Sequence, residues 1–329
     1  MINDLLNKNI LVIGSGSIGK RHIENLIKLK FNNIYVFRHK SSENLFIDGH
    51  EIKTINKWNR LNNLKIFASI ICTPTSRHVE QLLKLLDLGS HVLIEKPLFY
   101  NKKNLKQLKD LINKSQKYVS VAYMMRFHPL ILKIKDIVET KKYGNLISFD
   151  TIWGEYLPDW HPWEDYRSSY ASNKNLGGGV SLTLSHDIDL VIWLVNSSVY
   201  KTKHIKNFRS SLEMDVESGS DILYEFKNGV TGHSHMNYFS KHNQRDYSFI
   251  FENATIQFNY YESKVVVKAD NKSEIFTSKK FKRNDMFVSE LKFFLNKTLN
   301  YNVVDSVNSI EESELILDIC KKENFKNDE

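Results

Sequence analysis

Two short stretches of this chain carry residue types and spacings that could do chemistry. The first is Gly14-Ser15-Gly16-Ser17-Ile18-Gly19, in the order G-x-G-x-x-G. At that spacing the first glycine permits a tight turn, the second lets backbone approach a pyrophosphate, and the third lets a helix lie close on its strand. The anion would rest on unpaired N–H groups at the helix N-terminus, favoured by the helix dipole. The second stretch is Glu95-Lys96-Pro97, a charged triplet at the end of an apolar run. Open parallel sheets bind their ligands at the carboxyl ends of their strands, so a lysine there is placed for chemistry. His233 and His235 share one face of an extended segment, but no third ligand is fixed beside them, and no metal is expected.

The elements needed to position these residues follow in order. Residues 10–13 are apolar throughout and read as a strand buried on both faces, and Ile23, Leu26 and Ile27 mark the helix after the glycine turn. Residues 33–37 form a second strand, ending in Arg38-His39-Lys40-Ser41. A carboxylate at this place would bind the 2′-hydroxyl of NAD, whereas Arg38 and Ser41 suit the 2′-phosphate of NADP. Further strands are expected at 66–74, 91–94 and 118–123, with helices carrying Val79, Leu82, Leu83 and Leu86, and then Leu105, Leu108, Leu111 and Ile112. This alternation specifies an α/β doubly wound parallel sheet, a Rossmann domain over residues 1–124. From Met124 the pattern changes. Helices at 129–140 and 180–195 bracket an extended run, 146–154, and an aromatic loop, 156–167; short strands then fill 204–268, with a hairpin signal at Asn228-Gly229. Residues 125–329 are therefore expected to form an α+β domain on an open antiparallel sheet, closed by a helix carrying Ile310, Leu315, Ile316 and Ile319.

Composition narrows the function classes. The chain of 329 residues carries a net charge of +8, spread over scattered lysines. Scatter of this kind marks solvated faces, and even the run Lys279-Lys280-Phe281-Lys282-Arg283 has no nucleic-acid-binding signature around it, so no nucleic-acid partner is expected. The excess positive charge suits an acidic or phosphorylated substrate. Cys72 and Cys320 fall in no disulfide or zinc pattern. Without a leader-like N-terminus or a membrane-length apolar run, the expectation is a cytoplasmic protein with no membrane partner.

Across nearly its whole length the chain resembles the Gfo/Idh/MocA oxidoreductases. Four features carry the resemblance in the family's order: the glycine turn; Cys72-Thr73-Pro74-Thr75 with His78; Glu95-Lys96-Pro97; and Gly177-Gly178-Gly179 followed by His186 and Asp189 on a helix. The resemblance implies NAD(P) as cofactor, with Arg38 tilting the choice toward NADP, held by Gly14, Ser15, Gly16, Ser17, Ile18, Gly19, Arg38, Cys72, Thr73, Pro74, Thr75, His78, Glu95 and Lys96. It implies that Lys96 lies between the nicotinamide and a substrate hydroxyl, with Lys96-Pro97 as a cis bond, and that His186 is the imidazole exchanging the proton. Arg126, His128, Trp163, Tyr166, Arg167 and Thr183 resemble the family's substrate contacts. The chain departs from the pattern at Thr183, where many relatives carry Asp one turn before the histidine. The implied activity is hydride transfer between nicotinamide and a secondary alcohol or carbonyl of a sugar, acidic or nucleotide-linked, of the kind used in surface-glycan or sialic-acid-like biosynthesis. A homodimer or homotetramer paired through the sheet is implied. The rival reading is a non-catalytic regulator that senses dinucleotide or sugar.

Overall fold

The structure, a computed structural model, describes residues 2–39 and 43–322; Lys40 and Ser41 beside Arg38, and the charged tail beyond residue 322, lie outside the described residues. The chain divides into two compact units, Met1–Tyr123 with Arg283–Glu314, and Met124–Lys282 with Leu315–Glu329.

In the first unit β1 (Asn9–Ile13) leads through the glycine turn to α1 (Ser17–Lys28), followed by β2 (Asn33–Phe37), β3 (Leu45–Ile47), β4 (His50–Ile55), β5 (Ala68–Ile71), α2 (His78–Asp87), β6 (His91–Glu95), α3 (Leu105–Ser115) and β7 (Val119–Ala122). Their sheet runs β3-β4-β2-β1-β5-β6-β7 and is parallel except for the β3/β4 hairpin. β1 is hydrogen-bonded to β2 on one side and β5 on the other, so the crossovers reverse direction there. Sheets of this type bind ligands at such a switch point. The β3/β4 hairpin is an addition to the expected order; its turn, Asp48-Gly49, has positive φ at both residues, as a type I′ turn requires.

The second unit contains α4 (Pro129–Thr140), β8 (Leu146–Tyr156), α5 (Val180–Thr183), α6 (His186–Val195), β9 (Val199–Asn207), β10 (Gly219–Phe226), β11 (Thr231–Asn237), β12 (Phe239–Phe251), β13 (Ala254–Asn259), β14 (Lys264–Ala269) and β15 (Lys272–Thr277). The eight strands are ordered β15-β14-β13-β12-β8-β11-β10-β9. All pairs are antiparallel except β8 with β11. Phe149, Thr151, Ser234, Met236, Tyr247 and Phe249 face inward and are buried, while Ile152, Leu223 and Ile250 stand exposed on the other face. His233 and His235, on that outer face, both bond Asp221 Oδ1, at 3.1 and 2.8 Å.

α7 (Arg283–Lys297) and α8 (Val303–Lys321) end the chain. α7 belongs to the first unit, where Leu291, Phe294 and Leu295 join the core formed by Ile10, Val12, Ile34 and Val36. Residues 279–282 of the basic run form a turn and coil before it, and only Arg283 enters the helix, whose apolar side chains pack on the β1/β2 face. Early in α8, Ser306 and Ser309 hydroxyls accept from the Val119 and Val121 N–H groups, covering the free edge of β7. Among the described residues no single helix is long and apolar enough to cross a membrane.

Buried titratable groups give this fold a pH-dependent stability. Burial, with Lys117 second, holds His91 down to about 4; burial with Arg245 does the same for His128, and burial with Lys206 for His204. The unfolded chain takes up these protons near pH 6.5, so stability is lost as pH falls from there toward 4. Asp187 acts in the opposite sense. Its carboxyl is fully buried and pushed up by desolvation, against hydrogen bonds from Ser234 and Thr151, so stability is lost as pH rises past the ordinary carboxylate range. Asp187→Asn keeps the shape without a charge to bury. Calorimetry should show the wild-type Tm falling steeply below about pH 6, and the variant melting above wild type at about pH 8 but not near pH 5; a variant less stable at both values would refute the assignment.

Candidate active site

In the first unit the candidate residues converge on the carboxyl edge of the sheet. Gly16 caps α1 in extended conformation, and a Cβ added there would meet nothing within 4 Å. That open space beside the first-turn N–H groups of Ser17 and Ile18 fits a diphosphate. Gly19 is the opposite case: a Cβ there would collide with the Gly14 carbonyl, so α1 is pressed against the end of β1. Arg38 leaves β2 with its N–H on the Ile55 carbonyl at 2.9 Å, and the neighbouring His39 ring packs edge-on against Phe37, itself 4.6 Å from Trp58.

Across the switch point lie the ends of β5 and β6. Cys72 follows β5, its thiol pushed well up by burial and then by the carboxylates of Glu95 and Glu290, so it is an inert wall rather than a nucleophile. The Thr73 hydroxyl donates to Gln81 Oε1 at 2.6 Å. Thr75 is buried at the start of a short helical turn behind Pro74. His78 is 1% exposed and has both ring nitrogens on backbone carbonyls, Nδ1 at 2.9 Å from Pro97 and Nε2 at 2.7 Å from Thr73. Burial pushes its pKa down, so the neutral ring has one N–H and donates to one of the two carbonyls while its other nitrogen lies against the second, and neither nitrogen faces a ligand. Glu95 ends β6 and takes a contact from His22 Nε2 at 3.2 Å; the Lys96-Pro97 bond is cis.

In the second unit the helix expected over 180–195 is broken. α5 stops at Thr183 and α6 restarts at His186, the segments on either side meeting at 46°. His186 thus occupies the first position of α6, 6% exposed, with its ring parallel to the Trp153 indole at 6.1 Å. The same indole carries the Arg245 guanidinium 3.5 Å from its centroid. Glu155 Oε1 accepts from Arg245 Nη2 at 2.6 Å and from Trp153 Nε1 at 2.8 Å. The buried cation is thereby neutralised where it stands. Trp153, Glu155 and Arg245 were not singled out from sequence, yet a signal existed: Arg245 interrupts the inward period Tyr247, Phe249, Phe251 with a charge.

The remaining candidates separate. Arg126 makes a two-pronged pair with Asp189, Nε to Oδ2 at 3.0 Å and Nη2 to Oδ1 at 2.5 Å, which accounts for the Asp three residues after His186. His128 caps α4, its Nδ1 accepting from the Leu130 N–H at 3.2 Å, with its ring among Phe258, Tyr260 and Phe281. Thr183 is buried. Arg167 is held at the surface by Asp165 and Glu213. Tyr166 receives the Glu213 N–H at 3.0 Å, and Trp163 is 77% exposed.

Comparison with known proteins agrees with this architecture. Residues 8–123 match the model of the oxidoreductase family with NAD-binding Rossmann fold, and residues 131–257 match the GFO/IDH/MocA C-terminal domain. The chain belongs to the GFO/IDH/MocA family. It is 23% identical over 333 residues to oxidoreductase P35 of Formosa agariphila, covering 94% of this chain and 95% of that protein. In fold it is similar to levoglucosan dehydrogenase in complex with NADH, with a TM-score of 0.80 at 17% identity over 96% of both chains. It is also similar to UDP-N-acetylglucosamine 3-dehydrogenase of Acidithiobacillus ferrooxidans, with a TM-score of 0.75 at 15% identity over 95% of this chain and 96% of that one. As a member of this family the chain is an NAD(P)-dependent oxidoreductase.

The two glycines respond differently to a methyl group. Gly19→Ala should destabilise the chain by about 1–3 kcal/mol through overpacking against backbone. Gly16→Ala, at an open site with extended backbone, should stay within about 0.5 kcal/mol of wild type. Urea unfolding followed by circular dichroism measures both, and equal stability of the two variants would contradict the packing described.

Proposed function

We propose that this GFO/IDH/MocA protein is a cytoplasmic sugar dehydrogenase or reductase acting on a CH–OH group, with its substrate a sugar or sugar derivative bearing an acidic or nucleotide group. One observation carries the reading: Glu95-Lys96 ends β6 on the far side of the switch point from Arg38. With the diphosphate on α1 and the adenosine half toward β2, the nicotinamide half would fall over β5 and β6, beside Lys96. Bound NAD(P) supplies the hydride acceptor or donor.

In the oxidative direction the Lys96 ammonium would donate to the substrate hydroxyl and stabilise the alkoxide as it develops. His186 would accept the proton, its ring kept in one orientation by the parallel Trp153 indole. Arg38 would pair with a 2′-phosphate, giving a preference for NADP. Trp163 and Tyr166 offer aromatic faces and Arg167 a charge for the sugar. The relatives support this class, since levoglucosan and UDP-N-acetylglucosamine dehydrogenases share the fold. The exposed Ile152, Leu223 and Ile250 on the outer sheet face support pairing into a homodimer or homotetramer.

Fluorescence titration should give saturable binding of NADH and tighter binding of NADPH. Gly16→Ala should weaken both. In an assay of NAD(P)+ reduction against a sugar panel, Lys96→Ala and His186→Ala should lower turnover by about 10²–10⁴ with the cofactor still bound. Absence of saturable binding with either dinucleotide would sink the reading; binding without turnover, unaltered by either variant, would favour a sensor.

A further inference from the structure

Two buried histidines end on the residues that flank Lys96 in sequence. His22 on α1 is wholly shielded from solvent, and its Nε2 meets Glu95 Oε1. A carboxylate only accepts, so Nε2 carries a proton and donates, and the contact leaves Nδ1 on the far side of the ring. That atom has no hydrogen-bond partner among the described residues; the ring packs at its edge against Phe287 of α7, 6.1 Å between centroids. An apolar side chain at position 22 would fill the same space without stranding a buried polar atom. The fold bears that cost, and what it gains is a fixed Glu95 carboxylate.

His78 on α2 approaches the other neighbour. Its buried ring is wedged between the Pro97 carbonyl, just after Lys96, 2.9 Å from Nδ1, and the Thr73 carbonyl at the end of β5, 2.7 Å from Nε2; it donates its one proton to one of them and packs against the other.

We infer that His22 and His78 are positioning residues that bracket Lys96, one holding the side chain before it and the other the carbonyl after it. The ammonium therefore enters the nicotinamide end of the site from a backbone with little freedom, which costs less to order when ligand binds. This deepens the dinucleotide reading above and rests on it.

The test compares NADH with ADP-ribose, which lacks the nicotinamide ring, on the full chain by fluorescence titration and competition. His22→Leu should weaken NADH about tenfold and leave ADP-ribose within about twofold of wild type. His22→Gln, whose amide brings a donor near the place of Nε2, should recover most of the loss. His78→Leu should show the same split between the ligands. Equal weakening of both ligands, or unchanged NADH binding, overturns the inference. Should His22→Leu not fold, Glu95→Ala cuts the same contact from its partly exposed end and must give the same split. A wild-type chain that binds neither ligand overturns the dinucleotide reading itself, an outcome distinct from any pattern among the variants.

Discussion

The backbone of Gly19 lies against the Gly14 carbonyl, and the first turn of α1 is thereby pressed onto the end of β1. Much of the first unit follows from that approach. It directs the N–H groups of α1 at the carboxyl edge of the sheet, where the crossovers on either side of β1 also deliver Arg38, Cys72 and Glu95. It carries His22, one helical turn further on, to the level of β6, where it meets Glu95. A side chain at Gly19 would move the helix, and all of these relations with it.

The second unit depends on polar groups buried under a sheet. Thr151, Ser234 and Asp187 form a hydrogen-bonded chain, Thr151 Oγ1 lying 2.8 Å from Ser234 and 2.9 Å from Asp187, while Glu155, Trp153 and Arg245 form a second cluster on the same inner face. Such groups are tolerable only when they satisfy one another. Satisfaction fixes geometry: Trp153 cannot shift without losing Glu155 and Arg245, and His186 stacks on Trp153. The break at Thr183–Ser185 then makes His186 a helix-start residue instead of a mid-helix one.

Legibility in the sequence followed the range of the interactions. The β1-turn-α1 unit, the strands at β2, β5, β6 and β7, and the edges of α4 were readable because each is set by contiguous apolar runs, glycine spacing or a capping residue. The hairpin of β3 and β4 was passed over although Asp48-Gly49 signals its turn; its strands are short and carry charges. α7 was missed because its apolar residues do not keep to a single helical stripe, Phe293 for one standing exposed off the buried face. Their burial is decided by the face of β1 and β2, far away in sequence.

By itself the sequence determined the fold class and the place of Lys96 just past the end of its strand, since local spacing and periodicity specify these, and its motifs carried the resemblance to the family; that His186 starts a helix was decided by the break before it. Only the tertiary structure decided what those residues touch. That His78 lies between two carbonyls, that Arg126 is taken by Asp189, that His128 is enclosed by aromatic rings and that Arg245 lies on Trp153 are all contacts between segments remote in the chain. A side chain's chemistry is written in its residue type, but its partners are set by how strands and helices pack, and packing is a property of the whole domain.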